Sequence, residues 1–227
     1  MRQKTTGDAM AMRGKKQAVD DGAIRALLKR YACPLPYHEV RARFMGNIAT
    51  PDMNASPMQE IHRVWGDELP VFEDKGEAEA FFGKLLQGMW NGLSAHQKRS
   101  DPFKLARVKT APASHEYLGR LARVRREELD GFIDGLFAGQ EEMDFPESAH
   151  NAIGTLGEMR ALFAATETLA TDPPGPADTS TLEDTAKHLR ELTRIAEAEI
   201  NVVIQSCRKA RQQMLETFVI ERPGTLH

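Results

Sequence analysis

A chain of 227 residues with 41% hydrophobic and 28% charged residues has the composition of a globular protein with enough apolar content to bury a core. Its net charge of −3 is too small to imply a polyanionic partner, and two cysteines far apart, Cys33 and Cys207, exclude a disulfide framework and a C-x-x-C pair. No apolar run approaches the ~18 residues of a membrane span, and the N-terminus lacks the apolar core of a signal peptide, so no membrane contact and a cytoplasmic location are expected.

Residues 1–20 are polar, slightly basic and aperiodic, which predicts a disordered tail. Asp21 is placed to cap a short helix carrying Ile24, Leu27 and Leu28, ended by Pro34 and Pro36. A helix from near Pro36 sets Val40, Phe44 and Ile48 on one stripe. Ser56-Pro57-Met58-Gln59 combines a capping box with Pro at the first helical position, and Gly66 is placed to stop the helix that follows. Residues 74–94 read as a strong amphipathic helix with Phe82, Leu85, Leu86, Met89, Trp90 and Leu93 inward, followed by a loop over 100–115.

The helix beginning near Glu116 carries the stretch that organises the chain. Gly131, Gly135 and Gly139 recur every four residues beside Phe132, so on a helix they form one narrow stripe. Each interior glycine costs about 0.5–1 kcal/mol relative to alanine, so the series predicts a neighbouring backbone too close for a Cβ. Pro146 then starts a helix whose expected inward residues are Ile153, Leu156, Met159, Leu162, Phe163 and Leu169. The Pro-rich stretch 171–180 reads as a linker. Beyond it Ser180-Thr181-Leu182-Glu183 forms a further capping box, opening a long helix over 181–220. There Leu189, Leu192, Ala196, Ile200, Val203, Cys207, Ala210 and Met214 recur at steps of three and four, a seam that predicts self-association or docking on the chain's own domain. The expected architecture is all-α: a compact domain of about six helices over 21–170, a linker, and a long C-terminal helix.

The order of four landmarks resembles the YgfB/YecA-like family of bacterial all-helical proteins. They are the run from Val40 to Gly46, then Trp65-Gly66, then Trp90-Asn91-Gly92-Leu93, then Gly131-Phe132-Ile133-Asp134-Gly135. The resemblance covers about 37–170. It departs at Glu128, where the family tends to have Trp, and the cysteine-rich zinc-binding tail of longer members is absent. What the resemblance implies is a helical interaction or regulatory protein rather than an enzyme.

No H-E-x-x-H, G-x-S-x-G, phosphate loop or dinucleotide-binding motif occurs, and the seven His are scattered. No cofactor, metal or catalytic residue is therefore expected. Asp130 and Asp134, with Glu127, read as a solvated acidic face. Charge is segregated: residues 98–126 hold nine Lys/Arg against two Asp/Glu, and residues 127–147 hold eight Asp/Glu and no Lys/Arg. That order opposes the helix macrodipole, so cations from neighbouring helices or a partner are expected to offset it. The favoured function is a non-catalytic protein–protein interaction or regulatory module, forming a homo-oligomer and binding an unidentified protein partner. The alternative is a nucleic-acid-associated protein using 98–126.

Overall fold

The computed structural model describes residues 20–173, 175 and 178–220, with backbone only at 218–220. The tail at 1–19, part of the linker and the chain beyond 220 lie outside the described residues. The fold is all-α, in the order α1 (Asp21–Arg30), α2 (Tyr37–Ala49), α3 (Pro57–Val64), α4 (Lys75–Gly83), α5 (Asn91–Ser94), α6 (His115–Phe137), α7 (Glu147–Thr171) and α8 (Thr179–Ile220). No strand occurs among the described residues, and no helix is long and apolar enough to cross a membrane.

Most helix starts follow local chemistry. Ser56, Asp74 and Ser114 each accept a backbone N–H of the first turn, from Met58, Glu77 and Tyr117. Two caps differ from expectation. Asp20 rather than Asp21 accepts from Ala23, and Asp178 accepts from Thr181 ahead of the expected Ser180 box. In both cases the aspartate one or two residues upstream reaches the free amide first. The helix over 74–94 is also not uniform, because a π-helical stretch over Lys84–Trp90 joins α4 to α5. The buried residues Phe81, Leu85, Met89 and Leu93 are four apart, a spacing that drifts by about 40° per step on an α-helix. The wider π turns counter that drift and keep the series facing the core.

The centre of the fold is the crossing of α2 and α6, which run parallel. A Cβ on Gly131 would lie 2.5 Å from the Glu39 carbonyl oxygen, and one on Gly46 would lie 2.8 Å from the Leu136 nitrogen. A Cβ on Gly135 would fall on the Arg43 carbonyl, 2.8 Å from its carbon. The close neighbour predicted for the glycine stripe is therefore α2, which contributes a glycine of its own. Phe132, on the same face, is fully buried. Gly139 does not belong to the stripe. The helix ends at Phe137, and Ala138 (φ 53°) and Gly139 (φ 81°) turn the chain through the left-handed region, where Gly139 lies against the Arg63 side chain.

Helix α7 returns antiparallel to α6, and α8 packs on both. The α8 residues Leu189, Ala196, Ile200, Val203, Ile204 and Cys207 belong to the same hydrophobic cluster as α2, α6 and α7. Polar contacts fix its far end: Arg211 donates to the carbonyls of Ile48 and Thr50 at the end of α2 and to Gln97 Oε1 at 2.8 Å. The C-terminal helix is thus part of the domain rather than an appendage to it. This corrects the reading of Leu189, Ile200 and Val203 as self-association residues, since their own chain already buries them. Leu192 is half-buried, and Met214 is exposed.

Candidate interaction surfaces

Several charged residues of the sequence are internal. Glu128 is fully buried on α6 with Arg125 as its ion-pair partner, and both hold the backbone of Ala106. The Ala106 N–H donates to Glu128 Oε1 at 2.6 Å, and Arg125 Nη2 donates to the Ala106 carbonyl at 2.8 Å. Burial pushes the Glu128 carboxyl up to about 7, against the pull of Arg125. Glu60 is likewise buried, taking Arg43 Nε at 2.5 Å and Arg63 Nη1 at 3.0 Å. Removing one partner from such a pair strands a charge, at a cost of about 3–5 kcal/mol. Their sequence signal is modest: Arg125 and Glu128 interrupt the apolar arc that links Leu121 to Phe132.

The segment 98–114 has no regular structure, yet it is firmly held. Asn201 of α8 accepts the Phe103 N–H and donates to the Phe103 carbonyl, both at 2.9 Å. Glu197 accepts from the Leu105 N–H at 3.1 Å, and Arg41 donates to the Lys104 carbonyl at 2.7 Å. Phe103 and Leu105 are buried, while Lys104, Arg107 and Lys109 point outward. This strap sorts the basic block. Arg123 and Arg126 are bound to Glu167 of α7 at 2.7 and 2.9 Å, and Arg125 is internal. Lys98, Arg99, Arg107 and Lys109 are exposed, with no ion pair among the described residues.

The acidic end of α6 is offset from neighbouring helices. Asp130 takes Arg126 at 2.9 Å and also pairs with Arg160 of α7, while Asp134 takes Arg43 of α2 at 3.3 Å. Asp130 is therefore not a solvated carboxylate, whereas Asp134 keeps much of its exposure. Within α6, Arg126 forms the i, i+4 pair with Asp130, whereas Arg123, four residues before Glu127, turns to α7 instead. Glu127 meets His38 Nε2 at 2.7 Å. Burial lowers the His38 pKa, opposed by Glu127. Glu39, beside them, is raised to about 7 by burial first and then by Glu127 and Asp130. No group of three or more His, Cys, Asp or Glu is placed to hold a metal ion among the described residues.

Among the landmark residues, Trp65 donates its indole N–H to the Tyr31 carbonyl at 2.9 Å and Gly66 ends α3 with φ 69°. Trp90 packs edge-on to Phe44 at 5.8 Å, and Asn91 is exposed. These are packing and turn positions, spread over different faces. Helix α7 differs most from expectation. It buries Ala149, Ala152, Leu156, Met159 and Phe163, but leaves Leu162 51% and Leu169 58% exposed. Ala165, Ala161 and Gly157 lie exposed progressively further round the helix, and the exposed Glu158 stands between the leucines and the alanines. Near the start of α7, a groove of about 620 Å³ is lined by Phe137, Met143, Phe145, Ile153 and Gly154, with Glu142, Asp144 and His150 also at its walls. Compared with protein-family models, curated proteins and solved structures, the chain matches none.

Proposed function

We propose that this chain is a non-catalytic interaction or regulatory module of the cytoplasm, working through the outer face of α7. The observation that carries this reading is the exposure of Leu162 and Leu169 beside Gly157, Ala161 and Ala165. Exposed large apolar side chains beside small ones leave room for another helix, with Glu158 among them as a polar contact, and clustered apolar exposure marks interaction sites. A protein partner, a second copy of this chain included, is the occupant. The resemblance to YgfB/YecA-like proteins supports the same reading. The test is co-purification with mass spectrometry, beside light scattering, for the wild type and for Leu162→Glu/Leu169→Glu. Both substitutions are on the solvent side, so the fold is expected to persist while the partner or the oligomer is lost. An unchanged partner list together with an unchanged mass would overturn the reading.

A second reading rests on Lys98, Arg99, Arg107 and Lys109, which the strap and its approach hold outward. They form a surface for phosphates, and nucleic acid is its substrate. A titration with duplex and single-stranded DNA at two salt concentrations tests it, because phosphate contacts weaken steeply with salt. No binding at low salt removes it.

A further inference from the structure

We propose that the groove at the α6–α7 turn is a docking site for a cationic amphipathic segment of a partner protein, one that sets an apolar side chain between Lys or Arg residues. The inference rests on the reading of this chain as an interaction module but uses a different surface from the outer face of α7. The groove is built rather than incidental. Its floor is Phe137 against Phe145, edge-on at 5.3 Å between ring centres. The loop that walls it is tied to the domain by Gln140 to Asp52 at 2.8 Å and by Thr50 to the Met143 sulfur at 3.3 Å. Ala138 and Gly139, both left-handed, set the turn between the helices. At about 620 Å³ it falls inside the roughly 300–1,000 Å³ range of binding pockets. Gly154 keeps the α7 side open, since a Cβ there would meet nothing within 4 Å.

Charge identifies the occupant. Glu141, Glu142 and Asp144 are exposed along this loop and Glu147 at the start of α7, and residues 127–147 contain no Lys or Arg. Arg63, which lies against Gly139, is held by Glu60. An apolar floor with an acidic rim attracts a cation-flanked apolar anchor, and it repels an acidic one. A hollow of similar size between α1 and α4 lacks this character because Arg30 and Tyr31 both donate to Glu77 there.

The test is a titration of the full chain with a labelled synthetic peptide of Leu and Lys, followed by fluorescence anisotropy at two salt concentrations. A peptide with Glu in place of Lys is the control. The Leu/Lys peptide is expected to bind, more weakly at high salt, and the Leu/Glu peptide is not. Glu142→Lys/Asp144→Lys and Gly154→Leu should each weaken binding by about tenfold or more, with thermal midpoints no lower than wild type. Gly83→Leu, equally open but on α4 away from the groove, should bind as wild type does. Equal binding by all variants, or by both peptides, would overturn the proposal. A dimer of the full chain that the peptide dissociates would make a second copy the occupant, and would also overturn it. Failure here leaves the α7 reading standing, because the co-purification experiment uses other residues.

Discussion

Gly135 lies so close under the carbonyl of Arg43 that even one added carbon meets backbone rather than a movable side chain. Alanine would gain up to about 1 kcal/mol of helix propensity there, and overpacking against a fixed backbone costs about 1–3 kcal/mol. Gly135→Ala should therefore destabilise the protein in chemical denaturation, and Gly135→Leu should do so more severely. Gly154→Ala, with open space around the new Cβ, should gain stability instead. Equal effects at the two sites would contradict the crossing described above. Glu39 makes a pH prediction of the same kind. Its folded pKa, raised from 4.5 to about 7, means that the folded state favours the proton. The associated stability is complete below about pH 4.5 and is lost as pH rises through about 7. Relative to Glu39→Gln, the wild type should lose stability over that window and then level off. Parallel profiles for the two proteins from about pH 4.5 to 8 would show that Glu39 titrates normally.

At the scale of elements, the strap 98–114 replaces a helix–helix contact with an extended segment held by side chains from α2, α6 and α8. Asn201 satisfies both backbone groups of Phe103, so Asn201→Ala leaves a buried donor and acceptor unpaired. Each such group costs about 1–3 kcal/mol, and the loss is local because Phe103 remains apolar and enclosed. Faster amide exchange is expected at 103–106, with faster tryptic cleavage after Lys98, Arg99 and Lys104, while the helices keep their protection. Exchange that accelerates equally through α6 and α7 would mean that the strap is not a separate unit. The π-helical stretch belongs to this scale too, since four-residue spacing of buried side chains selects the wider turn.

For the whole molecule, the decisive feature is that α8 completes the core formed by α2, α6 and α7. Ile200 is fully enclosed by its own chain. Ile200→Glu buries an unpaired carboxylate, which places it among the exceptional substitutions that cost more than about 4 kcal/mol. The expected result is loss of the fold, seen as a collapse of the thermal transition. A seam joining two chains would behave differently: light scattering would show dissociation to a monomer that still melts cooperatively. The two outcomes distinguish a core helix from an assembly helix.

Local chemistry determined where the helices lie. Ser56 followed by Pro57, Asp74, and Pro146 mark helix starts through free amides and fixed φ, and the apolar periods of α2 and α6 identify their inner faces. The need for a close backbone neighbour at Gly131 and Gly135 was also legible, because repeated helix-interior glycine is costly without one. Which helix supplies that neighbour was not, since Gly46 lies far away in sequence and carries no mark of its role. The heptad-like seam of α8 reads the same whether it meets a second chain or its own domain. Periodicity specifies that a stripe must be buried but not against what. Leu162 and Leu169 fit the apolar period of α7 yet face outward, because the surfaces of α6 and α8 cover only one side of that helix. The groove brings Phe137 of α6 to Ile153 and Gly154 of α7 across a left-handed turn at Ala138, a conformation that alanine rarely adopts and that the tertiary contacts around it select.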